Sequence, residues 1–354
     1  IPTAVQPVLS TLDWSELNAI AQLSQKALLD AGLPQFEGSN AWVMSGAKTA
    51  SAKPLLAGDP HITFAVPAVW YEAHLQAPDF ELYGHFQALN PFALLGHNQE
   101  FGWSVTMFQN DDLDLIALKT NPDDPQQVWE NGQWQTLTSQ TQWIVVKDQE
   151  PEQLILRNSS HGPIINDILQ DQSSTTPIAM WWAFLETENP ILDAFYALNR
   201  ANTLDKARHA ASQIHAPGLN LVWANAQGDI AWWAAAKMPI RDKSAEPSFI
   251  LDSQSAASKK YGFYPFTDNP QEENPARGFI VSANFLPASP NQVPLPGYYN
   301  LADRGAQLIE QLSQADTQWD TQNSQAVQLG ERTGYAQRLL KPLLADLNTI
   351  ARGN

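Results

Sequence analysis

Between Asp13 and Ala31, apolar residues fall at helical spacing. Leu17, Ile20, Leu23, Ala27 and Leu28 share one side, and Asp13 stands where an N-cap belongs. This predicts an amphipathic helix stopped by Gly32-Leu33-Pro34, then a short loop over 35–38. Past that loop the period changes to short apolar or alternating runs bounded by turn residues. Strands are expected at 41–44, 54–57, 70–76, 81–87, 101–107, 113–118, 143–146, 153–156 and 178–183. Residues 218–226 and 229–236 read as a hairpin closed at Gln227-Gly228. Helical spacing returns at 191–198, 203–213, 302–313 and 324–347, with Pro-, Ser- and Asn-rich loops over 241–277 and 285–298. No internal repeat or low-complexity linker interrupts the chain, so one domain is expected. Many strands followed by helices point to an α+β layered architecture.

Composition narrows the classes. At 354 residues with 44% hydrophobic positions, the chain can bury a large core. Its 20 basic and 37 acidic residues give a net charge of −17, which repels phosphate backbones and anionic lipid. No nucleic-acid or membrane partner is therefore expected. No apolar run approaches the roughly 20 residues of a membrane span. The absence of cysteine excludes disulfides, thiolate metal sites and a cysteine nucleophile. The 13 tryptophans suit either core positions or an aromatic binding cleft. The start, Ile1-Pro2-Thr3, carries neither an initiator Met nor a signal peptide, which reads as part of a longer product.

Chemistry is spread over several short segments. Gly38-Ser39-Asn40-Ala41-Trp42 precedes a strand and, alone, would be only a turn; it lacks the Gly-x-Ser-x-Gly elbow. It is followed by Gly58-Asp59-Pro60-His61, Gly96-His97-Asn98 with Trp103, and Asn110-Asp111-Asp112-Leu113-Asp114. Later come His161-Gly162-Pro163, Asn274-Pro275, Gly278 through Asn284, and Ala302-Asp303-Arg304. His61, His74, His85 and His97 invite a zinc reading, but no pair has the helical spacing of a zinc hydrolase, so catalytic zinc is not expected.

In order and spacing these segments resemble the penicillin acylase family of N-terminal-nucleophile amide hydrolases, whose β chains open on Ser-Asn-x-Trp-Val. The match is gap-free from Ser39 to Asp114 and looser to about Leu347. The resemblance implies a four-layer αββα sandwich of antiparallel sheets, incomplete in this chain. Residues 1–38 would be the end of the α chain and its linker, and 39–354 the N-terminal part of a truncated β chain. It implies self-cleavage of a zymogen between Gly38 and Ser39. Ser39 would then be nucleophile and its α-amine the base, since that amine has an ordinary pKa of about 7.7–8.0. With Gly38 attached the nitrogen is an amide and the chain should be inactive. By motif position, His61 would bridge or orient the amine, the backbone N–H of Met107 and the amide of Asn284 would hold the oxyanion, and Arg304 would support Asn284 and Ser39. A salt bridge to Asp303 or another carboxylate is the alternative for Arg304.

Family pocket positions fall on Ile62, Leu95 and Val105, so an aliphatic acyl amide is the expected substrate. A β-lactam antibiotic side chain, an acyl-homoserine lactone or a lipopeptide would qualify. Asp111, the carbonyl of Leu113, Asp114 and the carbonyl of Pro247 match a structural calcium site, although residues 285–302 lack the carboxylate expected there. The chemistry itself requires no cofactor. The α chain of the same precursor is the implied partner, and a periplasmic or secreted location follows from the resemblance alone. A non-catalytic, acidic, Trp-rich domain that binds sugars or peptides is the competing reading.

Overall fold

Alternation along the strand Phe36–Met44 sets the layering of one of two compact units, which comprises 34–110, 189–236 and 265–354. Ala41 and Val43 pack with Val222, Ala224, Ile230 and Ile280. Trp42 and Met44 point the opposite way, onto Leu308, Leu312 and Trp319. Successive side chains of a strand face opposite sides, so one strand serves two cores. The structure is a computed structural model that describes residues 12–31, 36–169, 176–315, 317–331 and 334–352. The expected helix stop at Gly32-Leu33-Pro34 lies outside the described residues.

Phe36–Met44 is the centre of a three-stranded antiparallel sheet between Leu55–Ile62 and Phe279–Ser282. Facing it is a seven-stranded antiparallel sheet. Its spatial order is Gln271–Glu273, Ile230–Ala235, Leu219–Asn225, Phe101–Met107, Leu95–His97, Phe80–Phe86 and Tyr71–Ala77. The helices Ile191–Leu198 and Leu204–Ser212 cover its outer face through Phe195, Leu198, Ala207 and Ala211, against Trp103, Trp223 and Trp233. The helix Asp303–Leu312 covers the outer face of the smaller sheet through Leu308 and Leu312, and Thr321–Gln328 adds Ser324, which accepts a hydrogen bond from Trp42 Nε1 at 3.1 Å. Helix, sheet, sheet and helix give the four expected layers within this unit. The tryptophans at 42, 103, 223 and 233 are fully buried core residues.

The other unit comprises 1–33, 111–188 and 237–264, so the chain forms two compact units where one domain was expected. It is built of small sheets. Leu113–Ala117 pairs antiparallel with Ile178–Trp182 and parallel with Leu251–Asp252. Pro239–Arg241 pairs with Lys260–Phe263, inside a stretch expected to be loop. The helix Trp14–Asp30 begins as expected, with Asp13 accepting from the N–H of Ser15 at 2.9 Å. The hairpin Asp124–Glu130/Gln133–Thr136 was not expected from the sequence. Its turn is Asn131-Gly132, both at positive φ (50° and 84°), the residue pair that two-residue hairpin loops favour. The helix expected over 324–347 is instead two, Thr321–Gln328 and Tyr335–Arg352, separated by a segment holding Gly330 and Gly334.

Candidate active site

The strand Phe36–Met44 runs straight through the Gly38–Ser39 junction, where a loop was expected. Gly38 lies opposite His61 and Ser39 opposite Pro60, with an irregularity between Phe36 and Gly38. Strand alternation turns the side chain of Ser39 to the same side as Ala41 and Val43, toward the seven-stranded sheet, and sends Asn40 the other way. Ser39 is buried, and its hydroxyl donates to the Gly38 carbonyl at 2.6 Å. The nucleophile candidate thus rests on the peptide group that self-cleavage would break. Its backbone N–H donates to Asn284 Oδ1 at 2.7 Å, behaviour of an amide and not of a base.

Asn284 follows the strand Phe279–Ser282 and holds a positive φ of 60°, a conformation asparagine tolerates better than most residues. Its Nδ2 donates to the Met107 carbonyl at 3.0 Å, leaving a second N–H on the same nitrogen. The Met107 carbonyl also accepts from Asn220 Nδ2 at 3.1 Å. Arg304, in the first turn of Asp303–Leu312, reaches across to the same place. Its Nη1 donates to the Ser39 carbonyl and, at 2.5 Å, to Asn40 Oδ1. Its Nη2 donates to the Ala283 carbonyl and to Asn284 Oδ1, both at 3.0 Å. Asp303 pairs instead with Arg338 at 2.7 Å, so the alternative of an Arg304–Asp303 bridge gives way. Burial pulls the guanidinium's pKa down, and the charge of Asp59 pulls it partly back. Gly38 lies close beneath this guanidinium: a Cβ there would come within 3.2 Å of Arg304 Nη2 and 3.6 Å of His61 Nδ1.

His61 Nε2 meets Asp59 Oδ2 at 2.9 Å, and Asn40 Nδ2 donates to the same oxygen at 3.2 Å. Burial pushes the Asp59 carboxyl up, but hydrogen bonds from His61, Asn40 and Gln328 outweigh it and hold its pKa below the usual 3.8. A carboxylate only accepts, so the His61 ring carries its proton on Nε2 and leaves Nδ1 as an acceptor when neutral.

Beside Ser39 opens a cavity of about 270 Å³. Leu95, Val105, Met107, Phe195 and Leu219 form much of its apolar wall, and Trp70 also lines it. Of the three expected pocket residues, Leu95 and Val105 line this cavity. Ile62, at the end of Leu55–Ile62 and opposite Phe36, is not among the described residues that line this cavity.

Asp111, Leu113, Asp114 and Pro247 belong to the other unit. Arg241 Nη2 donates to the Asp111 carbonyl at 2.9 Å and to Asp111 Oδ1 at 3.2 Å. Asp114 Oδ2 takes Arg241 Nε and Lys260 Nζ, each at 2.9 Å. The Leu113 N–H donates to Asp111 Oδ1 at 3.3 Å, and Pro247 lies in a turn of the loop after Pro239–Arg241. Burial is the main influence on Asp111 and pushes its carboxyl up to about 6, with Arg241 pulling down and Asp114 pushing up.

The structure thus gathers Gly38, Ser39, His61, Met107, Asn284 and Arg304 at one place. It adds Asn40, Asp59 and Asn220, which sequence reasoning had not given roles. Asn220 was detectable as the one polar residue in the otherwise apolar run Leu219–Ala224. It is buried and accepts from Trp232 Nε1 at 3.0 Å while donating to Thr106 Oγ1 at 3.1 Å.

Comparison with known proteins places this geometry. Over 330 residues the chain is 28% identical to the acyl-homoserine lactone acylase QuiP of Pseudomonas fluorescens, covering 92% of this chain and 39% of that protein. Over 298 residues it is 27% identical to penicillin G acylase of Escherichia coli, covering 82% and 34%. The chain thus spans well under half the length of these relatives. Its fold is similar to that of a thermostable penicillin G acylase from Alcaligenes faecalis, with a TM-score of 0.71 at 23% identity, covering 80% of this chain and 51% of that one. A family model described as penicillin amidase matches residues 4–353, and the chain belongs to the penicillin amidase family.

Proposed function

We propose that this protein is an amide hydrolase that first cuts its own Gly38–Ser39 bond and then uses Ser39 on an aliphatic acyl amide. The observation that carries this reading is the buried Ser39 hydroxyl, held 2.6 Å from the Gly38 carbonyl at the wall of an apolar cavity. In the first reaction Ser39 Oγ attacks the Gly38 carbonyl carbon and gives up its proton. An intervening water takes it and hands a proton on to His61, whose Nδ1 faces Gly38 from the other side of the strand. The tetrahedral oxyanion forms beneath Arg304. Collapse breaks the C–N bond as the nitrogen takes a proton, leaving an ester between Gly38 and Ser39 Oγ. Water hydrolyses that ester to a Gly38 carboxylate and a Ser39 that owns a free α-amine.

The second reaction uses that amine. It accepts the Oγ proton as Oγ attacks the substrate carbonyl, then passes the proton to the departing amine. Asn284 Nδ2 and the Met107 N–H hold the oxyanion, and water releases the acyl group from Ser39. The apolar wall of Leu95, Val105 and Leu219 favours an aliphatic acyl group, with Phe195 and Trp70 adding ring surface. Each methylene in such a pocket changes binding by only about 1–3 kcal/mol, so chain-length preference is shallow.

Mass spectrometry of the purified chain tests the reading. Wild type is expected to separate into two species at Gly38–Ser39, and Ser39→Ala to stay whole at 39.2 kDa. A wild-type chain that stays whole under conditions where it is folded refutes the proposal.

A further inference from the structure

The calcium site implied by the resemblance does not fit the residues around Asp111 and Asp114. Calcium asks for 6–8 oxygen ligands with a net negative charge around it. Here two carboxylates already face two cations. Arg241 spans both of them, through Nε to Asp114 and Nη2 to Asp111, and Lys260 Nζ closes on Asp114 at 2.9 Å. Asp114 is fully buried, Arg241 is 7% exposed at its side chain and Lys260 12%, so the pairs are internal. Among the described residues no group of three or more acidic or imidazole side chains is placed to hold a metal.

The arrangement is built by strand register. Arg241 and Lys260 are direct partners across the ladder Pro239–Arg241/Lys260–Phe263. Trp181 is the direct partner of Asp114 across Ile178–Trp182/Leu113–Ala117, and Lys260 Nζ lies 5.0 Å from the centroid of its ring. The ammonium is therefore held by a carboxylate and an aromatic face together. The second Asp114 oxygen, Oδ1, is buried with no hydrogen-bond partner among the described residues. An oxygen left over in this way marks a carboxylate that has more ligating capacity than the ammonium uses.

We propose that Arg241 and Lys260 take the place of the divalent cation, so that this protein folds without calcium, and that removing the Lys260 charge reopens a calcium site on Asp111 and Asp114. This inference is independent of the chemistry proposed for Ser39. A divalent ion entering the wild-type cluster would meet two fixed positive charges, and the free oxygen Asp114 Oδ1 belongs to a carboxylate that both cations already hold. In Lys260→Met the cluster carries one excess negative charge, an orphaned carboxylate oxygen and an unchanged apolar stem.

Thermal unfolding of the full chain tests this, after exhaustive dialysis against EDTA, with calcium then raised to about 10 mM, above the range of weak protein calcium sites. The wild-type midpoint is expected to move no more with calcium than with equal magnesium, which controls for screening of the acidic surface. Lys260→Met is expected to melt lower in EDTA and to regain several degrees with calcium but not with magnesium. Should it fail to fold in EDTA, recovery on refolding in calcium alone is the equivalent readout. Lys260→Arg, which keeps the charge, is expected to stay indifferent to calcium. Two results overturn the proposal: a calcium-specific rise in the wild-type midpoint, or a folded Lys260→Met chain that ignores calcium.

Discussion

Two arginines organise two polar centres of this molecule, and their partners differ in kind. Arg241 meets carboxylates, Asp111 and Asp114. Arg304 meets neutral groups: the carbonyls of Ser39 and Ala283 and the side-chain oxygens of Asn40 and Asn284. Both guanidinium groups are hydrogen-bonded, but only the first is bonded directly to carboxylates; Asp59 acts on Arg304 through its charge, without a hydrogen bond to it. A charge held by dipoles still projects a field, and in a partly buried site that field acts on whatever charge develops nearby. For Arg304 the nearby group is the peptide that Ser39 would attack. The difference separates a centre that closes on itself from one that can stabilise an oxyanion.

The sharpest test of that contrast is to remove each guanidinium. Arg241→Met leaves Asp111 and Asp114 buried with Lys260 as their remaining cation. Breaking a buried ion pair from one side costs about 3–5 kcal/mol, so a large loss of stability in urea unfolding is expected, with the Ser39 centre unaltered. Arg304→Met should act on rate: splitting at Gly38–Ser39 is expected to slow by on the order of 10²–10³, the range seen when an oxyanion donor is lost. Timed mass spectrometry of freshly folded chain measures it. Equal loss of stability with unchanged splitting in Arg304→Met would erase the distinction between the two arginines.

Much of this was legible in the sequence, for identifiable reasons. The apolar pairs Ala41/Val43 and Trp42/Met44 alternate with the strand period, so a strand with two cores behind it could be read directly. Ser39, Asn284 and Arg304 were picked out by their order and spacing against the family's segments, since each segment alone is weak, and the structure brings the three together. What could not be read is what register and side-chain reach decide. Arg241 and Lys260 are 19 positions apart in a stretch that reads as loop, and only the ladder between them makes them one cationic pair. The two-unit division was hidden because each unit is assembled from three separate stretches of the chain. Asn131-Gly132 is a different case, since its turn signal was present in the letters and went unused.

A smaller effect probes the support behind Met107. Asn220→Leu removes a donor from the Met107 carbonyl, which keeps Asn284, and takes the acceptor away from the indole N–H of the half-buried Trp232. Leaving one buried donor unsatisfied costs about 1–3 kcal/mol. A stability loss toward the low end of that range is expected, together with slower hydrolysis of an acyl amide by the split protein if Asn220 also helps fix Met107 for oxyanion binding. The same stability loss without any change in rate would assign Asn220 to folding alone.

The smallest expected effect concerns the two carboxyls whose pKa values move in opposite directions. Asp59 is held below 3.8 by the hydrogen bonds of His61, Asn40 and Gln328 despite its burial, whereas burial pushes Asp111 up to about 6. The sign for Asp59 follows from linkage. A carboxyl with a depressed folded pKa binds fewer protons in the folded chain than in the unfolded one. Its contribution to stability is therefore present above about 3.8 and is lost as pH falls through the folded value. Asp59→Asn should flatten the acid limb of a urea-midpoint profile taken from pH 6 down to pH 2. It should also free the His61 ring to turn, because the amide no longer demands a proton on Nε2. If the acid limb of Asp59→Asn matches that of wild type, Asp59 does not hold His61, and the ring facing Gly38 must be oriented by its packing alone.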